Sequence, residues 1–340
     1  MIDAAVLVVG GGAIGGITAA KLAGTVRRVT VLDANAEHVA RLRDPGLVYE
    51  EAGGEHRVRL DAVVSPDELT GDYDFALVAI KAPVHAAALP PLAATGRVAA
   101  FVTLGNGLIQ DRVAELVGPE RLLACLVEWA GSNAGPGRLI RDTVGPMVVG
   151  ELDGAERERT RRLAGCLEGV GPVRVSANIR GQIWSKLLVN STFTALSAVS
   201  GLRYGEAAAH PGGRVAAFGL WAEGVRVAEA EGLVLEPVLD AEPHEMLDPG
   251  AREDALARMM AVAGNSRPSM LQDLEAGRAT EIDVINGGVA ARGRAHGVPT
   301  PLNDLAVELV HAMERGERER APGVLDELAA HAPAAPHGSE

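Results

Sequence analysis

The chain has 340 residues, 47% of them hydrophobic and 23% charged, with a formal net charge of −13. That length holds one large domain or two ordinary ones, each with its own core, and a mean hydropathy of +0.12 excludes disorder as the main state. The acidic balance, with a pI near 5.2, excludes a protein whose task is gripping a polyanion, and no apolar run reaches the ~18–20 residues of a membrane helix.

The most apolar stretch, residues 4–20, is broken by glycines and lacks the basic start and small-residue cleavage site of a signal peptide. Neither nucleic acid nor a membrane is expected as a partner, and the cytoplasm is the expected compartment. Residues 6–9 read as a strand and 13–23 as a helix. A strand at 29–32, a helix at 36–42 and strands at 75–80 and 98–102 continue the alternation, the pattern of a parallel sheet covered by crossover helices. Turn signals then crowd in, as at Gly135-Pro136-Gly137 and Gly171-Pro172. Strands near 122–128, 138–141, 147–150 and 173–175 are expected to finish the sheet, with one helix at 155–167. Beyond Ser176 helical patterns dominate, at 179–199, 215–231, 252–263, 270–276, 281–296 and 301–315. The expected fold class is α/β: a Rossmann-type dinucleotide-binding domain over 1–176 and an all-helical substrate and dimerisation domain over 177–330. The Pro- and acid-rich stretch 235–250 is expected at the periphery, and 331–340 as a disordered tail. Aromatics make up only 3%, so Ala, Val and Leu must fill the cores by close packing; Trp129, Trp184, Phe193 and Trp221 are among the few candidates for an apolar pocket wall. Cys125 and Cys166 have no metal-ligand spacing and read as buried thiols, so no metal is expected.

The first chemical signal is Gly10-Gly-Gly-Ala13-Ile14-Gly15, where Gly10, Gly12 and Gly15 form G-x-G-x-x-G. A predicted strand precedes it and a predicted helix follows, the context in which such a loop cradles a pyrophosphate at a helix N-terminus. Asp33 stands 18 residues beyond Gly15 at the end of the second strand, where a carboxylate accepts from ribose hydroxyls and repels a 2′-phosphate. NAD(H) is thereby favoured over NADP(H). The competing reading of Asp33 is a helix cap, a task that Asn35 also suits. Lys81 and Asn106 follow later strands, at the sheet edge where ligands bind. Lys186, Asn190 and Thr194 recur every four residues on a strongly apolar helix, so they either line a cleft or form a structural network. Glu281, at the start of a predicted helix, is an acid able to pair with that lysine. Ser269 and Gln272 have the form of a capping box, though a helix start facing a cleft also binds carboxylates. Of the histidines, His296 is explained by the helix dipole, and His85 and His210 have no acidic neighbour in sequence.

Taken in order, Gly-Gly-Gly-Ala-Ile-Gly, Ile-Lys-Ala-Pro, Gly-Asn-Gly, Trp-Ser-Lys-Leu-Leu-Val-Asn, Ser-Met-Leu-Gln-Asp, Thr-Glu-Ile-Asp and Gly-Val-Pro-Thr-Pro-Leu-Asn resemble the ketopantoate reductase (2-dehydropantoate 2-reductase) family as far as residue 315. The resemblance implies hydride transfer between a nicotinamide cofactor and a small anionic 2-oxo or 2-hydroxy acid, as in pantothenate biosynthesis. It implies Lys186 as general acid, Glu281 as its support and a ligand of a substrate hydroxyl, and Asn190 and Ser269 as groups that orient substrate. Asn106 would lie between cofactor and substrate, and Lys81 beside the cofactor. Two positions depart from the family pattern: Thr194 replaces a frequent second asparagine, and Asp33 replaces the neutral or basic residue usual in NADPH-dependent members. Both suit the alternative of an NAD-dependent D-2-hydroxyacid dehydrogenase. A non-catalytic NAD(H)-binding sensor is the alternative of another class, and the apolar helices suit a homodimer.

Overall fold

The computed structural model describes residues 1–332, which form two compact units. The first comprises Met1–Gly105 and Ile109–Ile179; Asn106–Leu108 belongs with the second, which runs on from Arg180. The expected tail lies, from residue 333 onward, outside the described residues.

Twelve strands lie in the first unit: β1 (Ile2–Val9), β2 (Val26–Leu32), β3 (Leu47–Glu51), β4 (Gly54–Val58), β5 (Asp61–Val63), β6 (Tyr73–Val78), β7 (Val98–Thr103), β8 (Leu122–Val127), β9 (Gly131–Gly135), β10 (Arg138–Arg141), β11 (Met147–Glu151) and β12 (Val173–Val175). Eight make one sheet in the order β5-β2-β1-β6-β7-β8-β11-β12. All its pairings are parallel except β8 with β11. The central strands are continuous apolar runs because both faces are covered, and residues 4–9 of β1 are all buried. The chain leaves β1 toward β2 and β5, then returns to β6 on its other side. That reversal makes the carboxyl ends of β1 and β6 the place where an open α/β sheet binds ligands.

The segment at 138–141 does not finish this sheet, as its sequence suggested. It is β10 of a second sheet, β4-β3-β10-β9, in which β10 runs parallel to β3 with Arg138 opposite Val48. This sheet packs on the helix Ala13–Leu22 at glycine distance: a Cβ on Gly16 would lie 2.5 Å from Leu139 Cδ1, and one on Gly131 3.3 Å from Ala13 Cβ. Cys125 and Cys166 are buried thiols not joined in a disulfide, as expected.

The second unit is helical. Ile179–Val189 passes through a wide π turn, Asn190–Thr194, into Ala195–Ser200, which Gly201 ends in the left-handed conformation. Around it stand Pro211–Ala230, Arg252–Ala263, Asn286–His296 and Pro301–Glu314, two of them opening on the proline that suits a first helical position. Small residues replace aromatics at the contacts; a Cβ on Gly224 would come within 2.5 Å of Leu188 Cδ2. The few aromatics are core rather than pocket wall: Trp184, Phe193 and Trp221 are fully buried, and Trp129 nearly so. Residues 235–250 are exposed or half-buried as expected, except for Ala241, Pro243 and Met246, which are buried. Glu236 N–H donates to Ser185 Oγ (2.8 Å) and Trp221 Nε1 to Pro243 O (2.8 Å), tying the segment to the core. No helix among the described residues is long and apolar enough to cross a membrane.

Candidate active site

In the first unit, Gly10 to Gly15 links β1 to the helix Ala13–Leu22, with Gly12 as N-cap. Gly10 has φ +99, and a Cβ there would lie 2.8 Å from Ile80 Cγ2; one on Gly15 would lie 2.0 Å from Gly10 O. Both glycines are therefore required by the backbone itself. Gly12 differs, because a Cβ there would meet nothing within 4 Å. It fronts open space at the positive end of a helix, where a side chain would obstruct a pyrophosphate, so the loop fits a dinucleotide. Ala13 and Ile14 are half-buried in the first turn.

Asp33 Oδ2 accepts the Gly11 N–H (2.7 Å) and Oδ1 the Asn35 N–H (2.8 Å). The cap of the following helix is Asn35, whose side chain accepts from His38 N–H (3.1 Å). Asp33 is thus not that cap, and each of its oxygens retains a lone pair for a ribose hydroxyl. Residues 34–36 following it bring no cation. A residue missed in the sequence completes this corner: the buried His38 ring places Nε2 2.7 Å from Gly11 O and Nδ1 3.0 Å from Gly137 N. Its signal was a ring three residues after the cap, on the inward face with Val39. Lys81 is exposed just beyond β6, before the short turn Ala82–Val84. His85 is buried with Nε2 3.1 Å from Ile80 O, and burial lowers its pKa, which suits a structural ring rather than a base.

In the second unit, Lys186 and Asn190 are half-buried on a helix whose neighbouring positions, 183–185 and 187–189, are buried. Thr194 does not share their exposure. The π turn interposes a wide turn, so the four-residue spacing no longer keeps one face. Its hydroxyl lies 2.5 Å from Tyr204 OH in the core, where burial pushes the tyrosine up to about 12. Glu281, expected on a helix, lies on the turn before Asn286–His296 and is 8% exposed. Asn106 Nδ2 approaches its Oε2 at 3.5 Å. Leu108 N–H donates to Val284 O (2.8 Å), and Gly107, with φ +76, is required because a Cβ would lie 2.4 Å from the same oxygen. The structure therefore brings Asn106 and Glu281 together on the second unit. Ser269 is exposed at the first position of Ser269–Glu275; the capping residue is Pro268, and the Gln272 amide donates to Arg267 O (3.0 Å), so no capping box forms.

The Glu281 turn is held from behind. Thr280 N–H donates to Glu314 Oε1 (2.8 Å), and His311 lies 2.9 Å from Asp283 Oδ1 and 2.8 Å from Glu314 Oε2. Asn286, fully buried, donates to Ser191 O (2.7 Å) and Asn303 Oδ1 (3.0 Å). Asn303 in turn donates to Glu223 Oε2 (2.7 Å), and Glu223 also receives Leu302 N–H (2.9 Å). Burial pushes the Glu223 carboxyl above its usual range against the pull of those donors. One chain of amides thus ties the π turn after Lys186 to the segment bearing Glu281. Sequence reading missed Asn286 and Glu223, whose signal was polarity on otherwise apolar helix faces.

The chain matches the family model described as Ketopantoate reductase PanE/ApbA over residues 6–154, and that for Ketopantoate reductase PanE/ApbA C terminal over 178–314. It is 30% identical over 313 residues to a 2-dehydropantoate 2-reductase of Halobacterium salinarum, covering 91% of this chain and 99% of that one. Another, from Mesorhizobium japonicum, is 31% identical over 339 residues, with 92% and 98% covered. Among solved structures it resembles D-mandelate dehydrogenase with NADH and anilino(oxo)acetate (TM-score 0.79, 25% identity, 92% and 99% covered). It equally resembles a PanE/ApbA family ketopantoate reductase from Ralstonia eutropha JMP134 (TM-score 0.79, 27% identity, 92% and 100% covered). The chain therefore belongs to the ketopantoate reductase family and is an oxidoreductase that works with a nicotinamide cofactor on a 2-oxo acid/2-hydroxy acid pair.

Proposed function

We propose that the chain reduces a 2-oxo acid with NADH in the cytoplasm, 2-dehydropantoate to pantoate being the lead reaction, with Lys186 as general acid. The observation that carries this reading is the half-exposed Lys186 and Asn190 on an otherwise buried helix, since a lysine and an amide on such a helix need partners or a ligand. The cofactor supplies hydride to the substrate's C2 when bound. Gly10 to Gly15 and Asp33 hold it, with Lys81 beside it. Lys186 Nζ donates a proton to the oxo oxygen as alkoxide charge develops there. Glu281 receives a substrate hydroxyl and favours the charged lysine, while Asn106, Asn190 and Ser269 orient substrate oxygens. Thr194, buried against Tyr204, shapes this region from behind. Lys186→Ala is expected to bind cofactor normally and to lose on the order of 10² or more in kcat; near-normal turnover would remove Lys186 from the mechanism.

A second reading is an NAD-dependent D-2-hydroxyacid dehydrogenase. Its support is the Asp33 carboxylate, with no cation on residues 34–36, together with the likeness to a D-mandelate dehydrogenase that holds NADH. Absorbance at 340 nm with a panel of acids separates the two: activity on acids lacking a 4-hydroxyl favours the dehydrogenase, and strict dependence on that hydroxyl favours the pantoate enzyme. Higher kcat/KM with NADPH than with NADH would overturn the cofactor preference. The homodimer belongs to this reading as well and is tested by the mass in solution.

A further inference from the structure

We propose that His38, backed by the β9–β10 turn, is the positioning residue that aims the glycine loop at the cofactor. The inference rests on the reading that Gly10 to Gly15 takes the cofactor's pyrophosphate. Gly11 is gripped at both ends: its N–H donates to Asp33 Oδ2 (2.7 Å), and its carbonyl oxygen lies 2.7 Å from His38 Nε2. A carbonyl only accepts, so Nε2 carries the proton; Gly137 N–H only donates, so Nδ1 at 3.0 Å is the acceptor. The two partners define one neutral tautomer. A trans peptide sets its C=O and N–H in opposite directions, so fixing Gly11 O on His38 turns the Gly12 N–H away from the ring. Gly12 is the residue whose Cβ would meet nothing within 4 Å, facing the space left for a ligand. Contact is close enough that a Cβ on Gly11 would lie 2.8 Å from His38 Nε2. The ring is buried and held on its far side by Gly137, between β9 and β10, so the small sheet serves as the backing of the loop.

The test is calorimetric titration of the full-length protein with NADH and NADPH, read with whichever nucleotide the parental chain holds more tightly. His38→Gln keeps an N–H near the Nε2 position, His38→Asn keeps only an acceptor near Nδ1, and His38→Phe keeps neither. Expected is a rise in Kd of about tenfold or more for His38→Asn and His38→Phe, with His38→Gln within about threefold of the parent. In turnover the nucleotide KM should rise while kcat at saturation holds, a split that loss of folded protein does not produce. A Kd unchanged in a folded His38→Phe, or a His38→Gln as weak as His38→Phe, overturns the proposal. Should a variant not fold, 15N-histidine spectra of the parental protein give the second reading: one ring in the neutral Nε2–H form, its proton slower to exchange when nucleotide is added. A ring that exchanges freely overturns it. A parental chain with no affinity for either nucleotide would sink the reading of the loop instead, so the two failures are told apart.

Discussion

Gly12 and Gly15 share one motif and carry different burdens. The Gly15 Cβ position is filled by backbone and the Gly12 position by nothing, so alanine should separate fold from binding. Gly15→Ala is expected to lose about 3 kcal/mol or more of stability, because the Gly10 carbonyl cannot yield without moving the loop. Gly12→Ala is expected to cost under about 1 kcal/mol while weakening nucleotide binding, which denaturant melts and titration of the two variants will resolve. The shared half-burial of Lys186 and Asn190 was legible because four-residue spacing holds along the helix up to Val189. Thr194 was not, because no apolar pattern announces a π turn. His311 offers a pH test at the same scale. Its hydrogen bond to Glu314, with Asp283 alongside, holds its pKa above the ordinary value. A raised folded-state value means that the charged pair's stabilisation is full below about pH 6.5 and is lost as pH rises through the folded value. The Tm gap between the parent and His311→Ala should therefore be largest in mild acid and close on the alkaline side; at a third exposure it stays under about 1 kcal/mol.

Among elements, those that bury both faces or one clear stripe were readable. β1, β2, β6, β7 and β8 appear as apolar runs, and Arg252–Ala263 matches its pattern to the residue. β4 and β9 did not show, because Gly-Glu-His-Arg-Val and Gly-Ser-Asn-Ala-Gly carry no apolar alternation. The pairing of β10 with β3 joins segments far apart in sequence, which no local signal contains. Glu281 lay on a predicted helix because 281–296 is periodic; Ile285, at φ −95 and ψ −90, leaves helical geometry and delays the start to Asn286. That asparagine also governs the π turn. Asn286→Ala leaves Ser191 O and Asn303 Oδ1 without their donor, and a loss of roughly 2–6 kcal/mol is expected at about 1–3 kcal/mol per orphaned group. Urea melts measure it, and a midpoint equal to the parent's would mean that Ser191 O is served from elsewhere.

For the molecule as a whole, the −13 charge sets a long-range field against an anionic substrate, while Lys186 in its proposed role would act at contact distance. Salt screens the first more than the second, since the Debye length is about 8 Å at physiological ionic strength. Raising salt from low to physiological concentration should therefore raise kcat/KM for the acid; a fall would show that local cations dominate the approach. Fold class was legible at this scale because alternation and its loss past Ser176 are properties of long windows. The second sheet, which backs the glycine loop through His38, was not. That sheet also has a consequence in time. His38 and Gly137 are 99 residues apart, so at synthesis rates of about 5–20 residues per second the His38 ring waits roughly 5–20 s for its backing after it has been made. Throughout that interval the nascent chain holds the glycines, Asp33 and His38 but not the Gly137 N–H that holds the ring from its far side. Nucleotide is thus poorly suited to template the first strands as they emerge, and tight binding becomes a sign that residues up to β10 have already found β3.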